Sequence, residues 1–151
     1  MVAWDGIGII ERNSDIARLV RRRVVVNSAL WPRQMVGAEL IANSRRNMLD
    51  TLADLSCVDR QRRYTETVPY VHVPNELACQ WDQHSSLMRE QLWFRDSLSS
   101  VELDTAFAFD AEFIAFCDCF DCDLTNFDRL WADTRWSDIG LAAAKTLDAF
   151  A

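Results

Sequence analysis

The chain has 151 residues, half of them hydrophobic, with six Trp, five Cys and a net charge of −7. That length suits one domain, burying about 68–70% of the surface its unfolded form exposes, and the composition excludes a disordered chain. The negative balance argues against a general nucleic-acid binder, which needs clustered cations to meet phosphate.

The opening Met1-Val-Ala-Trp-Asp-Gly6 lacks a basic n-region, and the uncharged apolar stretches fall short of a membrane span. A cytoplasmic location is expected, with no membrane association, and the odd number of Cys then reads as reduced thiols. Charge is unevenly placed. Residues 1–63 carry eleven Arg against seven acids, and residues 102–151 carry eleven acids against three basic residues. Such asymmetry points to a surface that meets a charged partner.

Four Gly and three Pro leave room for long elements, and most spacings read as helix. Asn13-Ser14-Asp15 reads as a helix start, with Ile16, Leu19, Val20 and Val24 on one face, while Val24-Val25-Val26 could equally be strand. Arg21, Arg22 and Arg23 point in three directions about 100° apart on such a helix and form a solvated face. Pro32 suits a first helical position, and Trp31, Met35, Ala38, Ala42, Leu49, Leu52 and Leu55 then form a core stripe.

From Cys57 to Pro74 the chain is polar and then β-rich. Tyr70-Val-His-Val-Pro74, bounded by two prolines, reads as an extended or edge-strand segment near residues 64–74, and Cys57 to Pro74 as a whole reads as a hinge between two halves. Asn75 is the expected cap of a helix running to about Arg95 through Leu77, Trp81, Leu87, Leu92 and Trp93, with a possible break at Ser85-Ser86. Ser99 or Ser100 with Glu102 starts another, whose apolar side takes Leu103, Ala106, Phe107, Phe113, Ile114, Cys117 and Phe120. Asp110 falls in the middle of that side and requires a partner. The final helix starts between Thr134 and Ser137 and turns Trp136, Ile139, Ala143, Leu147 and Phe150 inward. The fold class is therefore mainly α, a single-domain bundle of about five helices over residues 1–151.

Cys117, Cys119 and Cys122 have thiol spacings that zinc or an iron–sulfur cluster could use, with Cys57, Cys79, His72 or His84 as distant fourth ligands. If the helix continues through this run, Cys117 and Cys119 project about 160° apart and cannot share an ion. No metal or cofactor is expected. Neither His is placed by sequence beside a thiol, and no carboxylate pair stands out from the acidic stretch, so no catalytic residues are assigned and an enzyme is not the expectation.

The sharper feature is that stretch itself. Asp118, Asp121, Asp123 and Asp128, interleaved with Phe127 and Trp131, combine charge with aromatic anchors as partner-binding surfaces do. With Val68-Pro-Tyr-Val-His-Val-Pro-Asn-Glu-Leu77, Trp93-Phe-Arg-Asp-Ser-Leu-Ser-Ser-Val-Glu-Leu103 and Leu130-Trp-Ala-Asp-Thr-Arg-Trp-Ser-Asp-Ile139, the chain resembles immunity proteins of bacterial polymorphic and contact-dependent toxin systems. The resemblance is one of type and carries over no functional residue. It implies a cognate protein toxin as partner, basic and of nuclease type, held by occlusion of its active site. The alternative is a helical regulatory or scaffold protein that forms a homodimer, its Arg-rich half docking on the acidic half of a second copy.

Overall fold

In the computed structural model, residues 37–119 and 127–151 are described. The helix expected from Ser14, the Val24–Val26 run, Trp31 and Met35 lie outside the described residues, as do Phe120, Asp121, Cys122 and Asp123. Within them the chain is mainly α, with seven helices and no strand.

The first helix, α1 (Ala38–Leu55), begins on an extended Gly37 without a side-chain cap. Its opening turns are exposed, Ala38 and Ala42 included, and the core face starts only at Met48, continuing through Thr51, Leu52 and Leu55. The segment read as extended is instead α2 (Val58–Thr67), a turn, and the start of α3 (Val73–Glu90). Both prolines mark helix ends. Val68 precedes Pro69 and is steered out of helical geometry, whereas Pro74 sits in the first turn of α3, where its missing N–H has no role. The cap of α3 is His72, whose Nδ1 accepts the Asn75 backbone N–H at 3.3 Å, so Asn75 lies inside the helix it was expected to cap.

α3 passes unbroken through Ser85-Ser86 and buries Leu77, Trp81, His84, Ser85 and Met88. It stops at Gln91, whose extended backbone separates it from the single turn α4 (Leu92–Arg95), which buries Phe94 and leaves Leu92 exposed. α5 (Ser100–Cys119) starts with a reciprocal cap: Ser99 Oγ accepts the Glu102 N–H at 3.3 Å and Glu102 Oε2 accepts the Ser99 N–H at 2.7 Å. After α6 (Phe127–Trp131), α7 (Thr134–Asp148) is capped by Asp133, which accepts the Arg135 N–H at 2.9 Å.

One contiguous apolar core joins these helices. α7 packs on α1 and α5, and α3 packs on α1. Gly140 of α7 lies near the end of α1, where an added Cβ would stand 3.5 Å from the Leu55 carbonyl oxygen. Edge-on Trp81 and Phe109, with centroids 4.6 Å apart, hold α3 against α5.

The buried side of α5 is rotated from the expected one. Ala106, Phe109 and Phe113 are buried, Leu103 and Phe107 are partly buried, and Ile114 and Cys117 are exposed. The cause is that α5 is apolar nearly all round, so periodicity cannot select a face.

Two buried polar centres brace the bundle. Gln61, with no exposed surface, is the sole buried side chain of α2. Its Nε2 donates to the carbonyls of Asp54 at 3.0 Å and Leu55 at 3.2 Å, and its Oε1 accepts Trp131 Nε1 at 2.9 Å and Trp136 Nε1 at 3.2 Å. All four hydrogen-bonding positions of the amide are used, and they serve two carbonyls at the end of α1, of which that of Asp54 also accepts the Cys57 N–H at 3.4 Å. The segment read as a hinge is thus tied to the end of α1 and to the indoles of Trp131 and Trp136. The second centre is Asp110, buried as expected and paired: Trp81 Nε1 donates to it at 3.1 Å and Arg89 reaches its other oxygen from the surface.

Candidate interaction surface

The acidic stretch divides into parts with different environments. Asp118 lies exposed near the end of α5, and Asp128 lies exposed in the first turn of α6, while Asp121 and Asp123 lie outside the described residues. The two aromatic anchors are engaged by the fold. Phe127 is half-buried between His72, stacked at 4.9 Å, and Trp131, stacked at 5.5 Å. Trp131 donates to Gln61, and the Arg62 guanidinium lies 5.1 Å over its ring. What these rings still offer a partner is their outer edges, already oriented, so little side-chain freedom remains to be lost on binding.

The wider surface of α5, α6 and α7 is strongly acidic. Asp104, Glu112, Asp118, Asp128, Asp138 and Asp148 are exposed there, against Arg129, Arg135 and Lys145. Glu102 and Asp133 belong to the fold instead. Burial would raise the Glu102 carboxyl, but hydrogen bonds from Arg45 and Ser99 outweigh it and hold it below its usual range. Asp133 is held low by the Arg135 side chain first and its backbone N–H second. The basic excess is more local than the halves of the chain suggest. Residues 1–36 carry six Arg against three acids, whereas residues 37–67, spanning α1 and α2, carry five of each.

Groups that could do chemistry are dispersed. No three His, Cys, Asp or Glu converge on a metal-sized site among the described residues. Cys117 lies near the end of α5, whose backbone continues to Cys119, and Cys122 lies outside the described residues. The Cys117 residue is exposed in area, yet dense protein on one side of its sulfur, with Asp118 adding, pushes the thiol up to about 11. It is therefore a thiol at neutral pH rather than a nucleophilic thiolate. Cys79 is also raised, by burial first and then by Glu76 and Asp82.

His84 is buried. Thr51 Oγ1 donates to the Asn47 carbonyl at 3.0 Å and so accepts from His84 Nε2 at 3.1 Å, which leaves Nδ1 as a buried acceptor with no hydrogen-bond partner. Burial drives its pKa down to about 4, and the ring is neutral under ordinary conditions. None of the helices among the described residues is long and apolar enough to cross a membrane.

No family model, curated protein or solved structure matches this chain.

Two features escaped sequence reasoning. Gln61 carries no apolar signal, although a Gln with two Trp downstream is a chemically complete hydrogen-bonding set. The outer side of α5 was also missed. Val101, Ala108, Ala111 and Ala115 recur there at spacings of seven, three and four, on the side opposite Ala106 and Phe113, and all are exposed. Val101 is 63% exposed. Apolar residues repeated on the solvent side of a helix were the available signal.

Proposed function

We propose that this chain is a binding protein that neutralises a basic protein partner by occluding its active site, in the manner of the toxin-specific immunity proteins it resembles. The observation that carries this reading is the acidic surface of α5 to α7, where six exposed carboxylates face three cations. Such a surface attracts a basic cleft over distance and accelerates encounter, while the edges of Phe127 and Trp131 supply oriented apolar contact. The partner is a protein with Lys or Arg lining its active site, and inhibition needs no turnover. A cytoplasmic site of action belongs to the same proposal.

The test is an affinity pull-down of tagged full-length protein from its own cell lysate at low and high salt, followed by measured affinity for whatever is captured. The expected result is one basic partner released by salt. Asp118→Lys with Asp128→Lys then weakens binding tenfold or more, mostly through the association rate, in a variant whose far-ultraviolet circular dichroism shows it folded. Binding insensitive to both salt and charge reversal would sink the proposal.

A second reading, self-association, is supported by Arg46, Arg60, Arg62 and Arg63, all exposed on α1 and α2. They are offset by Glu39, Asp50, Asp59 and Glu66, also exposed on those helices, so the attraction between copies is weaker than the basic first half implies. A homodimer that dissociates as salt rises would favour this reading.

A further inference from the structure

We propose that the His72 ring is an acid-sensitive clasp between α3 and α6. The inference concerns the folded chain itself and does not rest on the inhibitor reading. It starts from the chemistry of a cap. Helices are mostly capped by the side-chain oxygens of Ser, Thr, Asp or Asn, which go on accepting a hydrogen bond near neutral pH. α3 uses a ring nitrogen instead. His72 Nδ1 accepts the Asn75 N–H at 3.3 Å, and the same ring stacks on Phe127 of α6, with centroids 4.9 Å apart and planes 21° from parallel.

The cap fixes the tautomer. A nitrogen that accepts carries no hydrogen, so the neutral ring holds its proton on Nε2, which is buried and meets no acceptor. Cap and stack, rather than Nε2, therefore hold the ring in place. A second proton can go only to Nδ1, where it would point N–H at N–H. It would also set a positive charge on the first turn of a helix, the end at which the peptide dipoles already place one. Protonation and the cap are thus mutually exclusive, and the ring must turn away. Because the stack uses the same ring, Phe127 loses one of its two flanking rings in that step and keeps only Trp131.

Charges on the surrounding turns set where the change falls. They are Glu76 in the first turn of α3, Asp128 and Arg129 on α6, and Arg62, Arg63 and Glu66 toward the end of α2, with none in the turn 68–71. The cap sets what the change does. α6 is five residues long and depends on its side chains, with Leu130 buried and Trp131 bonded to Gln61 at its far end. Release of His72 therefore loosens the start of α6 and leaves its end anchored. The other histidine serves a different joint, because His84 meets Thr51 of α1.

The experiment is a pH titration of the full chain by nuclear magnetic resonance from about pH 8 to about pH 4, the range in which histidines change charge. The His72 ring protons, the Asn75 amide and the Phe127 ring protons are expected to move with one midpoint. Across that midpoint the protection of the Asn75 amide against exchange, corrected for its intrinsic pH dependence, should fall by about fivefold, the scale of one helix cap. His72→Asn supplies a capping oxygen that does not titrate, so in that variant the Asn75 amide should stay protected throughout. Three results overturn the proposal: a His72 ring that stays neutral over the whole range, an Asn75 amide and Phe127 ring that stay fixed while His72 gains its proton, or the same loss of Asn75 protection in His72→Asn. The first two are read on the native chain, so a variant that misfolds leaves the test intact.

Discussion

Replacing Gln61 with Leu tests whether a single buried amide closes this bundle. The substitution keeps the volume nearly constant and removes four hydrogen bonds. Their losses are unequal. Trp131 is half-buried and its indole N–H can turn to water, and the Asp54 carbonyl retains the Cys57 N–H at 3.4 Å. Trp136 is 3% exposed, so its N–H is stranded, and the Leu55 carbonyl loses its side-chain donor beneath α7. At about 1–3 kcal/mol for each stranded group, less the gain from burying an apolar side chain, the expected net loss is about 2–4 kcal/mol. For a domain of this size that lowers the midpoint of thermal unfolding by about 6–13 °C. Urea unfolding followed by far-ultraviolet circular dichroism measures it, and a cycle with Trp136→Phe isolates the indole contribution, expected near 1–2 kcal/mol. A loss below about 1 kcal/mol for Gln61→Leu would refute the reasoning, because it would mean water replaces the amide without cost.

Other outcomes follow from the same structure. His84 is pushed from 6.5 down to about 4 by burial, so the unfolded chain binds the proton first. The stability that depends on a neutral ring is complete above pH 6.5 and is lost as pH falls toward 4, by at most about 3 kcal/mol. Urea midpoints at pH 7 and pH 5 should differ in the native sequence and differ less in His84→Gln. Arg89→Met should destabilise more than Asp110→Asn in thermal melts at pH 7. The first leaves a buried carboxylate short of its cation, and the second leaves a half-exposed guanidinium that water can serve. Gly140→Ala should raise stability by about 0.5–1 kcal/mol, since the new methyl meets the Leu55 carbonyl at an ordinary 3.5 Å while the helix interior gains propensity. A loss of stability there would mean that α7 must approach α1 more closely than this.

The elements that were legible in the sequence are those whose local and tertiary signals coincide. α7 announces itself through Trp136, Ile139 and Ala143, all buried, and through Lys145 in its last turn. Ser99 and Glu102 mark the start of α5 as a reciprocal cap, and the demand that Asp110 be paired follows from its position among apolar neighbours. α2 was illegible because its only buried side chain is polar, so its pattern is that of a loop. Pro69 and Pro74 misled because prolines bound helices as readily as strands. The orientation of α5 was illegible because apolar residues surround it, and only the position of its neighbours selects the buried side. In the acidic stretch the exposure of Asp118 and Asp128 matched their chemistry, whereas the engagement of Phe127 and Trp131 depends on His72 and Gln61, more than fifty residues earlier.

The hydrogen bonds that Gln61 accepts from Trp131 and Trp136 span 70 and 75 residues. Helical proteins mostly fold fast because their contacts are close in sequence, and this one places its closing contacts far apart. On a ribosome adding about 5–20 residues each second, the amide waits roughly 4–15 s for its indole partners to be made. Throughout that interval α1 presents Leu52 and Leu55 without α7, the last helix to be made and one that packs on it, so apolar surface stays uncovered until the chain is almost finished.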